Sequence, residues 1–304
     1  MTPQEARLRT DRMYYLAQRL FDYKPVRLFE VEDRQIDGRS CKIPIRIYKP
    51  EQSESLPVIV YFHGGGFVLR SIETHDRVCR RLARDNRSIV VSVGYRLAPE
   101  HKYPAAVHDA YDATEWVAQH AESFGADPER LVVMGDSAGG NLAGAVALMA
   151  RNNQGPKILQ QVLLYPCTDG RFVMPSTQQF GKGFILTKEL MEWFYSQYAP
   201  DGMDMGNTYS ALLLNENLQG LPPAIILTAQ YDPLRDEGYA YAEKLKSAGV
   251  PVTYLESKGL VHGFMNLPKL SKRVLKAYQF IREELNQVYD SQSLEHLAPA
   301  SHDS

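Results

Sequence analysis

Apolar positions along this chain fall into short runs set apart by stretches of helical spacing. Residues 56–62 are an almost unbroken apolar run, and 88–95, 130–135, 158–165, 224–230 and 252–256 repeat the pattern. Runs this short, with few polar interruptions, read as strands covered on both faces. Between them the period lengthens. A charged helix is expected over 74–86, and Val107, Ala110, Tyr111, Thr114, Val117 and Ala121 mark another. Further helices are expected over 138–151 and 271–288. Residues 26–36 and 43–48 read as an antiparallel pair turning at Asp37-Gly38. Before them, Thr2-Pro3-Gln4-Glu5 is a helix start, with Leu8, Met13, Leu16, Leu20 and Phe21 giving that helix an apolar face. Strands alternating with helices predict one α/β domain over 1–304. Its central sheet is mostly parallel, of about eight strands with an antiparallel edge, and helices cover both faces.

One segment breaks the rhythm. Residues 168–221 contain no obvious strand but many aromatics: Phe172, Phe180, Phe184, Trp193, Phe194, Tyr195 and Tyr198. A long insertion carries function or covers a site. A helical cap is therefore expected, built from about 1–25 and 168–221. The polar stretch from about 291 to 304 is expected to fray.

Composition narrows the function. Lys and Arg total 34 against 36 Asp and Glu, a net charge of −2. That balance gives no electrostatic footing for nucleic acid and suits an uncharged substrate. Cys41, Cys79 and Cys167 are odd in number and scattered, so reduced thiols are expected, with neither a disulfide framework nor a metal site. Residues 1–12 lack the apolar core of a signal peptide, and no apolar run is long enough to span a bilayer. A cytoplasmic protein without stable membrane association is expected, as monomer or homodimer.

The chemistry sits at the ends of the strands. Gly135-Asp136-Ser137-Ala138-Gly139 is a G-x-S-x-G, which chance alone gives in about one chain in ten of this length. Its context is more telling. A strand runs into it and a helix opens at Gly140-Asn141-Leu142-Ala143, the strand–turn–helix of a nucleophile elbow. His63-Gly64-Gly65-Gly66 ends an earlier strand. Successive glycines let backbone N–H groups approach a ligand and cradle an oxyanion, with the Ala138 N–H as a further donor. On such a sheet the triad order is Ser, acid, His. Only His262, His296 and His302 follow Ser137, and the latter two lie at or near the polar tail. Asp169, Asp201 and Asp204 belong to the insertion, whereas Asp232 directly follows the strand over 224–230 and its Tyr231. Asp236, one turn later, reads as a helix-start acid. Ser137, Asp232 and His262 are therefore the candidate triad. Phe67, Asp136, Trp193 and Phe194 are candidates for substrate contact. Asp136 also reads as a partner for backbone donors, Trp193 and Phe194 as ordinary packing, and His63 as a brace for the glycine loop.

Together these residues resemble the hormone-sensitive-lipase-like family of α/β-hydrolases, in its bacterial esterase branch. The resemblance covers roughly 56–264. It rests on His63-Gly64-Gly65-Gly66-Phe67, Tyr95-Arg96-Leu97-Ala98-Pro99-Glu100, Tyr103-Pro104-Ala105-Ala106, Gly135-Asp136-Ser137-Ala138-Gly139-Gly140, Asp232-Pro233-Leu234-Arg235-Asp236-Glu237-Gly238 and His262-Gly263-Phe264. It implies the α/β-hydrolase fold and a lid from the N-terminal segment and the insertion after the sixth strand. It also implies hydrolysis of short-chain acyl esters without metal or cofactor, and oxyanion donors at Gly65, Gly66 and Ala138. Two alternatives stay open at this point. One is an amide or carbamate hydrolase on the same triad. The other is a non-catalytic small-ligand receptor on the same fold, although such receptors typically lose a triad residue and this chain keeps all three.

Overall fold

The computed structural model describes residues 2–203 and 209–297. Eight strands form one sheet in the order β1-β2-β4-β3-β5-β6-β7-β8. They are β1 (Glu30–Asp37), β2 (Lys42–Lys49), β3 (Leu56–Phe62), β4 (Ile89–Val93), β5 (Ala126–Asp136), β6 (Gln160–Leu164), β7 (Ala224–Tyr231) and β8 (Val252–Val261). β2 runs antiparallel to both β1 and β4, and the remaining pairs are parallel.

The unbroken apolar runs follow from two-sided burial. Along β3, Val58, Val60 and Phe62 face one core and Ile59 and Tyr61 the other. The first core is closed by α3 (Ala105–His120), α4 (Ala138–Asn153) and α7 (Arg235–Ser247). The second is closed by α2 (Ile72–Asn86) and α8 (Lys272–Leu297). Over the carboxyl ends of the strands lie α5 (Pro175–Phe180) and α6 (Lys188–Tyr198), both inside the aromatic-rich insertion. Among its described residues that insertion holds no strand.

Two expectations need correction, and a third element docks by a side that the sequence left open. The helix expected to end at 288 continues to Leu297, so residues 291–297 are helical rather than frayed; 298–304 lie outside the described residues. β8 continues past 256 to Val261, because as an edge strand it carries polar residues on its open side. That third element is α1 (Pro3–Phe21). Its apolar residues Leu8, Met13, Leu16, Leu20 and Phe21 are all exposed, Leu8 at 78%. The helix docks instead by its polar side. Arg7 donates to the carbonyls of Val68 and Ala98 and pairs with Glu100. Gln18 donates to the Thr74 carbonyl, and the Arg70 guanidinium lies 4.2 Å from the Tyr14 ring centroid. Directional bonds to carbonyls distant in sequence, in the loops at Val68 and Ala98 and in the first turn of α2, decide this face, and hydrophobic spacing cannot register them.

The cysteines are free thiols, Cys79 buried and Cys41 and Cys167 half-buried. Among the described residues no helix is long and apolar enough to cross a membrane.

Candidate active site

Four parallel strands deliver the chemistry at their carboxyl ends. β3 leads into His63, β5 into Ser137, β7 into Asp232 and β8 into His262. Ser137 stands between β5 and α4 with φ 56° and ψ −119°. A non-glycine residue held there costs about 1–3 kcal/mol, which the surroundings must offset. Its N–H donates to the Leu164 carbonyl at 2.8 Å. The flanking glycines are obligatory for space. A Cβ on Gly139 would overlap the Phe62 carbonyl, and one on Gly135 the Gly139 carbonyl.

His262 Nε2 lies 2.9 Å from Ser137 Oγ, and its Nδ1 lies 2.7 Å from Asp232 Oδ2. Asp232 is fully buried, and its other oxygen accepts the Leu234 N–H at 2.9 Å. An acceptor-only carboxylate at Nδ1 fixes the tautomer: Nδ1 carries the hydrogen and Nε2 is the base facing the hydroxyl. The Tyr165 ring packs edge-on to the imidazole at 5.0 Å and limits its rotation. The other candidate acids sit elsewhere. Asp169 pairs with Arg171, Asp201 faces Lys102, and Asp236 accepts from Ser176 N–H and Arg235. Asp204, His302 and the His296 side chain lie outside the described residues.

The glycine loop is braced from below. Asp136 Oδ1 accepts the Gly64 N–H at 2.9 Å and the Tyr61 hydroxyl at 2.7 Å, and His75 Nε2 lies 3.3 Å away. Burial pushes the Asp136 carboxyl up, but His75, Tyr61 and the Gly64 N–H outweigh it and hold it below the usual carboxylate range. Two expectations change here. Gly64 is not free to serve an oxyanion, because its N–H is spent on Asp136. Asp136 is not a substrate contact, because it lies buried beneath the loop. The N–H groups of Gly65, Gly66 and Ala138 have no hydrogen-bond partner among the described residues. Gly65 at φ 123° and Gly66 at φ 62° need the freedom of glycine.

His63 is the brace that the sequence suggested. Its Nδ1–H donates to the Gly64 carbonyl at 2.7 Å, and its ring stacks on Tyr95 at 4.4 Å. Burial brings its pKa down to about 3, so it stays neutral. The Tyr95 hydroxyl donates to the His63 carbonyl at 2.6 Å. Thus the motif over 95–106 works by holding the loop: the Ala98 N–H also donates to the Phe67 carbonyl at 2.9 Å.

A small apolar cavity of about 40 Å3 opens beside Ser137 and Ala138. Phe67 and Phe194, two of the candidates for substrate contact, line it. Trp193 does not; it packs against the body of the domain. Sequence reasoning missed Cys167, Phe172, Leu186, Met191, Tyr195 and Leu234, which complete the wall. The amphipathic spacing of α6 held part of that signal, since Met191, Phe194 and Tyr195 share one face. Glu237 was also missed. Fully buried, its Oε1 accepts the N–H groups of Thr168 and Asp169 at 2.6 and 3.1 Å. Burial pushes its carboxyl well above the usual carboxylate range, which favours the protonated form, against the pull of the two N–H groups.

Known proteins share this arrangement's sequence and shape. The profile of the alpha/beta hydrolase fold family matches residues 59–266. A carboxylic ester hydrolase of Mycobacterium tuberculosis, LipN, is 46% identical over 247 residues, covering 79% of this chain and 66% of that protein. An ethyl acetate hydrolase of Pseudomonas putida is 38% identical over 257 residues, covering 83% and 80%. Among solved structures, a hyperthermophilic esterase of the archaeon Pyrobaculum calidifontis is 41% identical with a TM-score of 0.90, covering 95% of this chain and 94% of that one.

Proposed function

Because the chain belongs to the α/β-hydrolase family, in its hormone-sensitive-lipase-like branch, we propose that it is a carboxylesterase cleaving short-chain acyl esters through a covalent acyl-enzyme. The observation that carries this reading is the unbroken relay from Asp232 through His262 to Ser137, with contacts of 2.7 and 2.9 Å.

His262 Nε2 takes the proton of Ser137 as Oγ attacks the ester carbonyl. The carbonyl oxygen turns negative among the N–H groups of Gly65, Gly66 and Ala138, at the start of α4, where the helix dipole adds to the stabilisation. Asp232 balances the imidazolium. His262 then protonates the departing alcohol, and the acyl group stays on Ser137. Water, deprotonated by the same imidazole, releases the acid and restores the serine. The apolar cavity, with Phe172, Leu186 and Met191 in its wall, favours an uncharged acyl chain. Residues 1–25 and 168–221 act as the cap.

Hydrolysis of a chromogenic ester series, acetyl to long acyl chains, tests the reading. Activity should peak at short chains, and Ser137→Ala should cost about 10⁵-fold or more in kcat. A matched amide should turn over far more slowly. Full activity in Ser137→Ala, or an amide preferred to its ester, would refute it.

A further inference from the structure

Phe194 touches two parts of the site at once. It forms a wall of the cavity beside Ser137, and its ring lies so close to Gly66 that a methyl group there would overlap it. One helical turn on, Tyr198 stacks on Phe67 with centroids 3.9 Å apart and planes 9° from parallel. Gly66 and Phe67 both sit in the left-handed region, at φ 62° and 63°, a conformation unfavourable for a residue with a side chain. Gly66 meets no penalty there, but Phe67 does. The Val68 and Leu69 N–H groups on the Gly65 carbonyl close the turn, and from outside the Ala98 N–H holds the Phe67 carbonyl while two rings of α6 pack on Gly66 and Phe67. The two rings differ in freedom. Tyr198 is fully buried, and its carbonyl accepts the Tyr103 N–H at 2.9 Å. Phe194 is only half-buried.

We propose that Phe194 senses acyl length through the oxyanion loop. An acyl chain too long for the cavity pushes the ring off Gly66, so over-long esters are rejected by weaker oxyanion stabilisation and not by weaker binding. This rests on the esterase reading and adds to it the residue at which length is read. The reasoning is differential binding. A longer apolar chain gains burial in ground and transition states alike, so KM does not rise. The penalty falls where Gly65 and Gly66 must meet a negative oxygen, and a misplaced donor there costs up to about a hundredfold in kcat. Phe194 is thus a positioning residue, and Tyr198 is the fixed end against which it works.

The test is to measure kcat and KM separately for nitrophenyl esters from acetyl to decanoyl, on wild type, Phe194→Ala, Phe194→Leu, Tyr198→Leu and Tyr198→Phe. In wild type, kcat should fall about tenfold or more from butyrate to decanoate while KM changes less than about threefold. Both Phe194 variants should lose acetate kcat, by about tenfold for alanine, and should flatten the dependence of kcat on length. The leucine variant keeps the test open if alanine fails to fold. Tyr198→Leu should lower kcat at all lengths alike, and Tyr198→Phe, which keeps the ring, should restore it. Acetate kcat unchanged in the Phe194 variants, with long esters gaining only through KM, would make Phe194 a passive wall and overturn the proposal alone. A wild type inert on every ester would overturn the esterase reading and this proposal with it.

Discussion

Asp136 and Gly64 show what one residue can and cannot announce in a sequence. Ser137 is announced by its neighbours, because the glycines at 135 and 139 are forced by backbone contacts within the same turn. The division of labour among Gly64, Gly65 and Gly66 is not. It depends on a carboxylate 72 positions away that consumes one N–H and leaves the next two unpaired. Asp136→Ala should therefore act on turnover. With Gly64 and Tyr61 unanchored, kcat should drop about 10–100-fold while KM stays within a few fold. The orphaned buried groups should also cost about 1–3 kcal/mol of stability, read by denaturant unfolding. A variant that loses stability but keeps kcat would reduce Asp136 to a packing role.

Element by element, legibility follows burial. Strands β3, β4 and β7 and the later halves of β5 and β6 are apolar because both faces are covered, so their runs stand out in the sequence, whereas the polar Asp127–Arg130 that opens β5 hid its start. β1 and β8 at the sheet edges carry polar residues, and their bounds were misjudged by several positions. α1 was found by its capping box, with Thr2 and Glu5 each bonding the other's backbone. Its docking side was not legible, since Arg7, Gln18 and Arg70 act through carbonyls distant in sequence. The junction between the insertion and α7 was invisible for the same reason, because a lone Glu237 looks like any helix acid.

That junction has a pH dependence of defined sign. Burial raises the Glu237 carboxyl, so in the fold it keeps a proton that the unfolded chain has lost. Its favourable contribution is complete below about pH 4.3, the ordinary glutamate value, and declines as pH climbs toward the raised folded value. Glu237→Gln keeps an acceptor for Thr168 and Asp169 but cannot ionise. The Tm of Glu237→Gln relative to wild type should rise as pH climbs above about 4.3. A difference independent of pH would mean that Glu237 is ionised in the fold.

At the scale of the whole molecule, the sheet order places four functional loops together that lie up to 199 positions apart in the chain, from His63 to His262. Right-handed crossovers with helices on both faces leave the carboxyl ends of the parallel strands as the common rim where such loops meet. Motif context and sequence order together named Ser137, Asp232 and His262, and the fold brings these three within hydrogen-bonding reach. The cavity was out of reach, because Phe172, Leu186, Met191 and Leu234 converge only once α5 and α6 fold over that rim. The central claim is that Ser137 is the nucleophile activated by His262. An aryl phosphonate ester, whose phosphorus accepts a serine oxygen as an ester carbon would, tests it most directly when peptide mass spectrometry follows the labelling. One adduct is expected, on the peptide containing Ser137, absent in Ser137→Ala and formed at least about a hundredfold more slowly in His262→Ala. An adduct on another residue, or labelling of Ser137→Ala at the wild-type rate, would contradict the account.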